Sequence, residues 1–322
     1  MIAYNADDVG LKGVLYHYPA TQNNNPLDTI QVYEWDTGKY LCDIPQVNET
    51  YNVVGNGNEY GLVIGESTFG GVDILAEKPK DTPGIDYGSL IYITLQRTKS
   101  AREAIHTMVE LMDTHGYASE GESFSIADSS GEVWLMEVIG RGATFGKKGA
   151  VWVARRVPDG YVTAHANQAR ITTFPRDDPD NCMYAEDVVD VATHYGLYPK
   201  EGDAEKSFSF SDTFDPARVW SMFSHVADKD GSFEIQYQSY ASGTNVTNRM
   251  PLFIKPFKKL TVQDVMALMN SHYEGTELDP STDVGAGIFR TPYRPRPLEW
   301  TYGEKMFHNE RTIAIEKTGW NL

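Results

Sequence analysis

The sequence predicts an α+β fold in which helices cover a largely antiparallel sheet. Two observations predict it. Four short segments rich in Val, Ile, Trp, Phe and Tyr follow one another from residue 123 to residue 166, as in an antiparallel meander. Directly before them, two neighbouring stretches within residues 86–116 carry apolar residues at helical spacing. Strands, then adjacent helices, then strands again are compatible with a layered fold.

Turn residues separate the segments of the meander. The predicted strands are residues 123–127, 133–138, 150–155 and 161–166. The breakers between them include Pro-Asp-Gly at residues 158–160, where Pro fixes one backbone angle and Gly tolerates a positive one. The meander then delivers the chain to Asn167 at a predicted strand end.

The remaining elements follow from local signals. Ser100 and Glu103 form a capping box for a helix that Gly116 ends, and Thr261 with Asp264 opens a later helix. A helix beginning after Asp86 precedes them. Further predictions are strands at residues 13–18, 29–35, 61–66 and 232–240, hairpin turns at residues 55–58 and 228–231, and a short helix at residues 185–195.

Composition restricts the function. The 322 residues are 41% hydrophobic and 23% charged, which suits a globular protein with a sizeable core. The net charge of −17 repels phosphate backbones and anionic lipid, so we expect no nucleic-acid partner and no membrane partner. No apolar run is long enough to span a bilayer. These features suit several cellular compartments equally.

Several kinds of catalytic site find no support in the motifs. The eight His residues show no H-E-x-x-H pattern, so we expect no metal and no cofactor. No G-x-S-x-G nucleophile elbow is present. The two cysteines, Cys42 and Cys182, lie in no nucleophile motif, and we interpret both as small buried or semi-buried residues.

The sequence resembles the dipeptidase family of N-terminal-nucleophile cysteine hydrolases, which are related to secernin, choloylglycine hydrolase and penicillin V acylase. The resemblance rests on WLMEVIGRG and KGAVWVARRVPDGYVTAHANQARI within residues 133–171, and on NEYGLVIGESTFGG at residues 58–71 and HYEGTELDPSTDVGAGIFRTPYR at residues 272–294. It extends over nearly the whole chain. It implies a single domain over residues 1–322 with the four-layer αββα sandwich of these hydrolases.

The resemblance also implies a nucleophile, an N-terminal Cys on a strand that would precede Met1. Residues 1–7 read as the middle of a strand, and residues 318–322 stop where relatives continue. We therefore expect the sandwich to be incomplete at its N-terminal strand and its C-terminal part. Uncovered sheet edges and apolar faces favour association, so we expect a homo-oligomer.

Four residues match catalytic positions of the resembled family. Asp7 matches an Asp that orients the nucleophile and its amine; the alternative is a solvated turn acid. Asn167 matches the Asn of an oxyanion hole; the alternative is a turn-closing residue. Glu66 matches a second site residue, and Arg311 matches an Arg that stabilises the site; a surface acid and an ordinary surface Arg are the alternatives. Glu66 with Glu122 is also a candidate for binding the substrate amine.

The resemblance implies a cysteine-type dipeptidase with a dipeptide as its substrate. In the implied mechanism a thiolate attacks the amide carbonyl, and water hydrolyses the resulting thioester. A second hypothesis is a catalytically inactive family member that binds peptides. A third, hydrolysis of non-peptide amides, is disfavoured because the motifs resemble dipeptidases throughout.

Overall fold

The computed structural model describes residues 1–7, 14–25, 27–76, 83–198, 209–210, 215–283, 285–293, 299–308 and 310–322. The strands within these ranges are β1 (Asn5–Asp7), β2 (His17–Tyr18), β3 (Thr21–Gln22), β4 (Thr29–Tyr33), β5 (Tyr40–Pro45), β6 (Glu49–Thr50), β7 (Val53–Val54), β8 (Gly57–Asn58), β9 (Val63–Gly70), β10 (Gly121–Ala127), β11 (Val133–Gly140), β12 (Ala150–Arg156), β13 (Cys182–Tyr184), β14 (Glu299–Tyr302), β15 (Lys305–His308) and β16 (Thr318–Asn321). The helices are α1 (Asp73–Ala76), α2 (Tyr87–Leu95), α3 (Ala101–His115), α4 (Val188–His194), α5 (Ala217–Ala227), α6 (Ser232–Ala241) and α7 (Val262–Met269). The predicted α+β class is confirmed.

The chain forms two compact units. The first contains residues 1–2, 15–157 and 167–213, and the second contains residues 3–14, 158–166 and 214–322. The single domain predicted over residues 1–322 stays a prediction, as does the four-layer sandwich. None of the helices in the described ranges is long and apolar enough to cross a membrane.

An eight-stranded antiparallel sheet organises the first unit. Its strand order is β13-β12-β11-β10-β9-β8-β7-β2. One face of its centre is apolar, with Ile64, Phe124 and Trp134 fully buried. Arg102 of α3 lies over the Trp134 ring, so α3 covers this face. The opposite face carries Ser67, Ser123 and Glu137, because side chains alternate along each strand.

The predicted capping residues hold the two covering helices. The Asp86 carboxylate accepts a hydrogen bond from the Ser89 backbone N–H at the start of α2. Ser100 and Glu103 form the full capping box of α3, and Gly116 follows its last turn. The buried residues of α3 recur every three or four positions, which places its apolar face on the sheet.

Helices dominate the second unit. Trp220 and Phe223 of α5 pack in one cluster with Phe233 and Tyr240 of α6. The Trp220 indole N–H donates to the Glu234 carbonyl at 3.0 Å, which satisfies the buried ring nitrogen. Two short antiparallel pairs, β1 with β16 and β14 with β15, also belong to this unit.

Three predicted elements differ from the structure. Residues 232–240 form helix α6 rather than a strand: the alternating Phe233, Ile235 and Tyr237 suggested a period of two, but Ile235 is 74% exposed. Residues 228–231 are the loop that begins this helix rather than a hairpin turn, since the Asp228 carboxylate accepts from the backbone N–H of Phe233. Residues 161–166 do not form a strand. Within the described residues they make a single isolated bridge, between Val162 and Ile254, because no extended strand pairs with the rest of their backbone.

Other boundaries are close to those predicted. Strand β9 begins at Val63 and continues to Gly70, four residues beyond the predicted end at residue 66. Of the strand predicted at residues 13–18, only His17–Tyr18 is a strand, and residue 13 lies outside the described residues. The predicted helices after Asp86, Ser100 and Thr261, and the short helix within residues 185–195, are confirmed.

Two glycines with nearly the same φ angle allow the close packing at the end of α3 to be tested separately from backbone strain. Gly116 has φ +94°, and a Cβ there would lie 2.2 Å from the Pro83 carbonyl oxygen. Gly131 has φ +93°, with nothing within 4 Å of its Cβ position. We expect Gly131→Ala to lower the free energy of unfolding by about 1 kcal/mol and Gly116→Ala by about 3 kcal/mol or more. Urea unfolding of the two variants measures the difference, and equal losses would contradict the described contact.

Candidate active site

Consecutive residues of β9 point to opposite faces of the sheet and have different partners. Glu66 and Thr68 share the helix-covered face with Glu122 of β10, since Thr68 lies opposite Glu122 in the register. Ser67 shares the other face with Ser123, its partner in the register. This alternation divides the candidate groups of the first unit into two sets.

The first set is a pair of buried carboxyl groups, Glu66 and Glu122. Glu66 is 8% exposed and Glu122 is 1% exposed. The Thr68 hydroxyl donates to Glu122 Oε1 at 2.9 Å. Burial raises the pKa of the Glu122 carboxyl well above its usual range, and the charge of the neighbouring Glu66 raises it further. Burial and the neighbouring charge therefore favour the neutral form of Glu122, and two acids at one place attract a cation.

Two tyrosines surround this pair. Burial raises the pKa of Tyr87, and the charge of Glu66 adds to that shift. Burial likewise raises the pKa of Tyr117, with Glu122 as the next cause. The Tyr87 hydroxyl donates to Asp36 at 2.9 Å. Both phenols stay neutral at neutral pH and act as hydrogen-bonding groups rather than as bases.

The second set is Ser67 and Asn167, on the face of the sheet opposite the Glu66 and Glu122 pair. Asn167 has φ 45°, a left-handed conformation that Asn tolerates better than most residues. Its backbone N–H donates to the Ser67 hydroxyl at 2.8 Å, and its side-chain amide donates to the Thr68 carbonyl. Thr68 thus links the two sets, since its hydroxyl contacts Glu122 and its carbonyl contacts Asn167.

A further buried acid, Glu137, contacts the same loop. Glu137 is 0% exposed in the middle of β11, and its carboxylate accepts hydrogen bonds from the backbone N–H groups of Arg170 and Ile171. Glu137 was not among the predicted site residues. Its one signal was a carboxylate inside the otherwise apolar strand Val-Trp-Leu-Met-Glu-Val, where an acid without a partner would be costly.

Asp7 and Arg311 both belong to the second unit. The Thr318 hydroxyl donates to Asp7 Oδ1 at 2.6 Å, which fixes the carboxylate at the β1–β16 pair. Burial lowers the pKa of Arg311, the nearby Arg218 lowers it further, and Asp7 is among the groups that oppose the shift. The structure therefore brings Asp7 and Arg311 into one charged cluster.

Other charged groups complete that cluster. Arg218, 6% exposed, forms an ion pair with Asp215. Burial raises the pKa of Glu310 to about 8, and the charge of Asp215 contributes to the shift. Of the four predicted site residues, Glu66 and Asn167 thus lie in the first unit, on opposite faces of one strand's end, and Asp7 and Arg311 lie in the second.

Neither cysteine has the environment of a nucleophile. Burial raises the pKa of the Cys42 thiol, with Asp43 as the next cause. Burial also raises the pKa of Cys182 to about 11. Both thiols stay protonated at neutral pH, and only the thiolate is a good nucleophile. Among the described residues, no cluster of three His, Cys, Asp or Glu side chains could hold a metal ion.

Comparison with known proteins identifies the group to which these features belong. The sequence pattern of Peptidase family C69 matches residues 6–319. The chain is 29% identical over 274 residues to a probable dipeptidase of Latilactobacillus sakei, covering 82% of this chain and 53% of the relative. It is 26% identical to a dipeptidase of Bifidobacterium longum (92% and 61%) and to a probable dipeptidase A of Streptococcus pyogenes (73% and 48%). The chain spans about half to three fifths of the length of these relatives.

The raised pKa of Glu310 predicts a pH dependence of stability. When the pH lies between the ordinary pKa of 4.5 and the folded-state pKa of about 8, this carboxyl keeps a proton in the folded protein and loses it in the unfolded chain. The folded state binds more protons in this window, so stability falls as the pH rises through it. At pH 5 we expect Glu310→Gln and the unchanged protein to have the same free energy of unfolding. At pH 8.5 we expect that of Glu310→Gln to be higher by about 1 kcal/mol or more.

Urea unfolding at the two pH values tests this expectation. Glu304→Gln is the matched control, because Glu304 is an exposed acid of the same unit. We expect that control to leave the pH dependence unchanged. A Glu310→Gln protein that loses stability with pH as steeply as the unchanged protein would show that Glu310 ionises normally.

Proposed function

Because the chain belongs to Peptidase family C69, we propose that it forms part of a cysteine-type dipeptidase, which hydrolyses dipeptides through a thioester on an N-terminal cysteine. The observation that carries this proposal is the loop at Asn167, which the sheet holds in a conformation suited to an oxyanion donor. Its relatives bear the name dipeptidase, which supports the substrate class.

The nucleophile in this proposal is the thiolate of an N-terminal cysteine outside residues 1–322. The raised thiol pKa values of Cys42 and Cys182 support that choice over either internal cysteine. The α-amine of an N-terminal residue titrates near neutrality, so it can accept the thiol proton. In this mechanism Asp7 orients that amine, and its fixed position beside Thr318 suits the role. Arg311 balances the charge of Asp7.

The reaction then proceeds in two steps. The thiolate sulfur attacks the peptide carbonyl carbon, and the carbonyl oxygen becomes an oxyanion in a tetrahedral intermediate. As the C–N bond breaks, the protonated α-amine returns its proton to the leaving amine. Water then attacks the thioester, releasing the free acid and regenerating the thiol. The Asn167 amide donates to the oxyanion in both steps: a primary amide has two N–H donors, and the bond to Thr68 uses one.

We further propose that the Glu66 and Glu122 pair binds the free ammonium group of the substrate. Both carboxyl groups are buried, and the charge of Glu66 raises the pKa of Glu122, so a cation bound beside them would relieve the repulsion between them. Thr68 bonds Glu122 through its hydroxyl and Asn167 through its backbone carbonyl, so this one residue of β9 links the proposed ammonium site to the proposed oxyanion donor.

A hydrolysis assay on the protein expressed from its natural gene, with its native N-terminus, tests the proposal. We expect a free dipeptide to be hydrolysed and its N-acetyl derivative, which lacks the ammonium group, to be a poor substrate. Replacing both Cys42 and Cys182 by Ser should leave turnover unchanged, because neither is the nucleophile. Activity lost in that double variant would instead assign the thiolate to an internal cysteine. Peptide binding without any hydrolysis would favour the inactive, peptide-binding family member.

Removing the proposed oxyanion donor should slow the chemical step. We expect Asn167→Ala to lower kcat for a dipeptide by about a hundredfold or more, the usual loss for one oxyanion-hole donor. Steady-state kinetics measure it. Asn181→Ala is a suitable control, since Asn181 bonds the Asp178 side chain elsewhere in the first unit. Unchanged turnover in Asn167→Ala would remove this residue from the mechanism.

A further inference from the structure

Three polar residues form a row across the centre of the sheet. Ser67 of β9 lies opposite Ser123 of β10, and Ser123 lies opposite Glu137 of β11. Because paired residues of neighbouring strands point to the same face, the three side chains share the face that does not carry the Glu66 and Glu122 pair. Ser123 and Glu137 are almost completely buried.

The loop from Asn167 to Ile171 is bonded to the two ends of this row. At one end the Ser67 hydroxyl accepts the Asn167 N–H at 2.8 Å. At the other, Glu137 Oε1 accepts the N–H groups of Arg170 and Ile171, the latter at 3.1 Å. Two strand spacings separate the ends by about 9.5 Å, close to the reach of three residues of chain, about 10 Å. The loop therefore crosses the strands rather than following them.

A buried acid at residue 137 depends on its partners in the loop. A fully buried carboxylate loses its hydration, and apolar replacement of a buried charge is often neutral or stabilising. An apolar side chain here, however, would leave the N–H groups of Arg170 and Ile171 without this acceptor. The carboxylate thus holds two backbone N–H groups of the loop at a fixed place on the sheet.

We infer that Glu137 is a positioning residue, which with Ser67 fixes the Asn167 amide by binding both ends of the loop from Asn167 to Ile171. This inference rests on the proposed function, since it gives Asn167 the role of oxyanion donor. Glu137 itself need not contact the substrate. A displaced loop carries the Asn167 donor away from the oxyanion, and a displacement of about 1 Å can cost a hundredfold in rate.

Variants along the row provide the test, with Ser123→Ala as the matched control. Ser123 is as buried as Glu137, but its hydroxyl has no hydrogen-bond partner among the described residues. We expect Ser123→Ala to keep kcat for a dipeptide, and Ser67→Ala to lower it about tenfold. Glu137→Ala should lower kcat by about a hundredfold, and Glu137→Gln by less, because its amide oxygen still accepts one N–H. KM should change little throughout. Equal kcat in Glu137→Gln, Ser123→Ala and the unchanged protein would overturn the inference.

Combination with Asn167→Ala separates positioning from a general loss of structure. If Glu137 acts through Asn167, Glu137→Gln should lower kcat by less than about twofold in the Asn167→Ala protein. The effects of two substitutions that act through the same group are not additive. The full loss in that background would show that Glu137 acts independently and would overturn the inference.

Amide hydrogen exchange provides a readout that does not depend on activity. We expect the Arg170 and Ile171 amides to exchange at least about tenfold faster in Glu137→Gln, and amides of α6 to keep their rates. Unchanged exchange at both amides would show that Glu137 does not hold the loop. If Asn167→Ala alone kept full turnover, the oxyanion role in the proposed function would fail. If Asn167→Ala lost turnover but Glu137→Gln kept it, only the positioning role would fail.

Discussion

The register of the three central strands β9, β10 and β11 is the constraint on which both halves of the candidate site depend. Glu66, Ser67 and Thr68 follow one another on β9, so their side chains alternate between the helix-covered face and the loop-covered face. A slip of one residue would turn the Glu66 carboxyl toward the loop and the Ser67 hydroxyl toward the helices. The buried apolar residues Ile64 and Phe124 resist that slip, because it would expose them to the wrong face.

The two fully buried acids of this sheet have opposite environments. Glu122 meets a second carboxyl group and one hydroxyl, so burial and repulsion favour its neutral form. Glu137 meets two backbone N–H groups, which donate to a carboxylate without needing its proton. Neighbouring strands of one sheet thus place a carboxyl with a raised pKa on one face and a carboxyl that anchors a loop on the other. The difference comes from the partners and not from the depth of burial, since both acids are almost completely inaccessible.

Local chemistry explains which parts of the fold could be predicted from the sequence. The capping box at Ser100 and Glu103 is complete within four residues, and helix α3 begins where it indicates. The strand predicted at residues 232–240 was wrong because the spacing of Phe233, Ile235 and Tyr237 also fits a strand. Only packing against α5 favours the helix, which places Phe233 and Tyr240 on one buried face. Glu137 was missed for a similar reason. Its partners, Arg170 and Ile171, lie more than thirty positions along the chain, and no local pattern marks that contact.

Asn167 illustrates how backbone and chemistry can select the same residue. Its φ of 45° favours Gly, Asn and Asp over other residues, so the turn alone accounts for any of the three. Gly would lack a side chain to bond the Thr68 carbonyl, and an Asp carboxylate would repel both that carbonyl and a developing oxyanion. Asn alone of the three tolerates the backbone, bonds Thr68 and still offers a neutral donor. The turn therefore sets the conformation, and the donor chemistry of the proposed site determines which of the tolerated residues can occupy it.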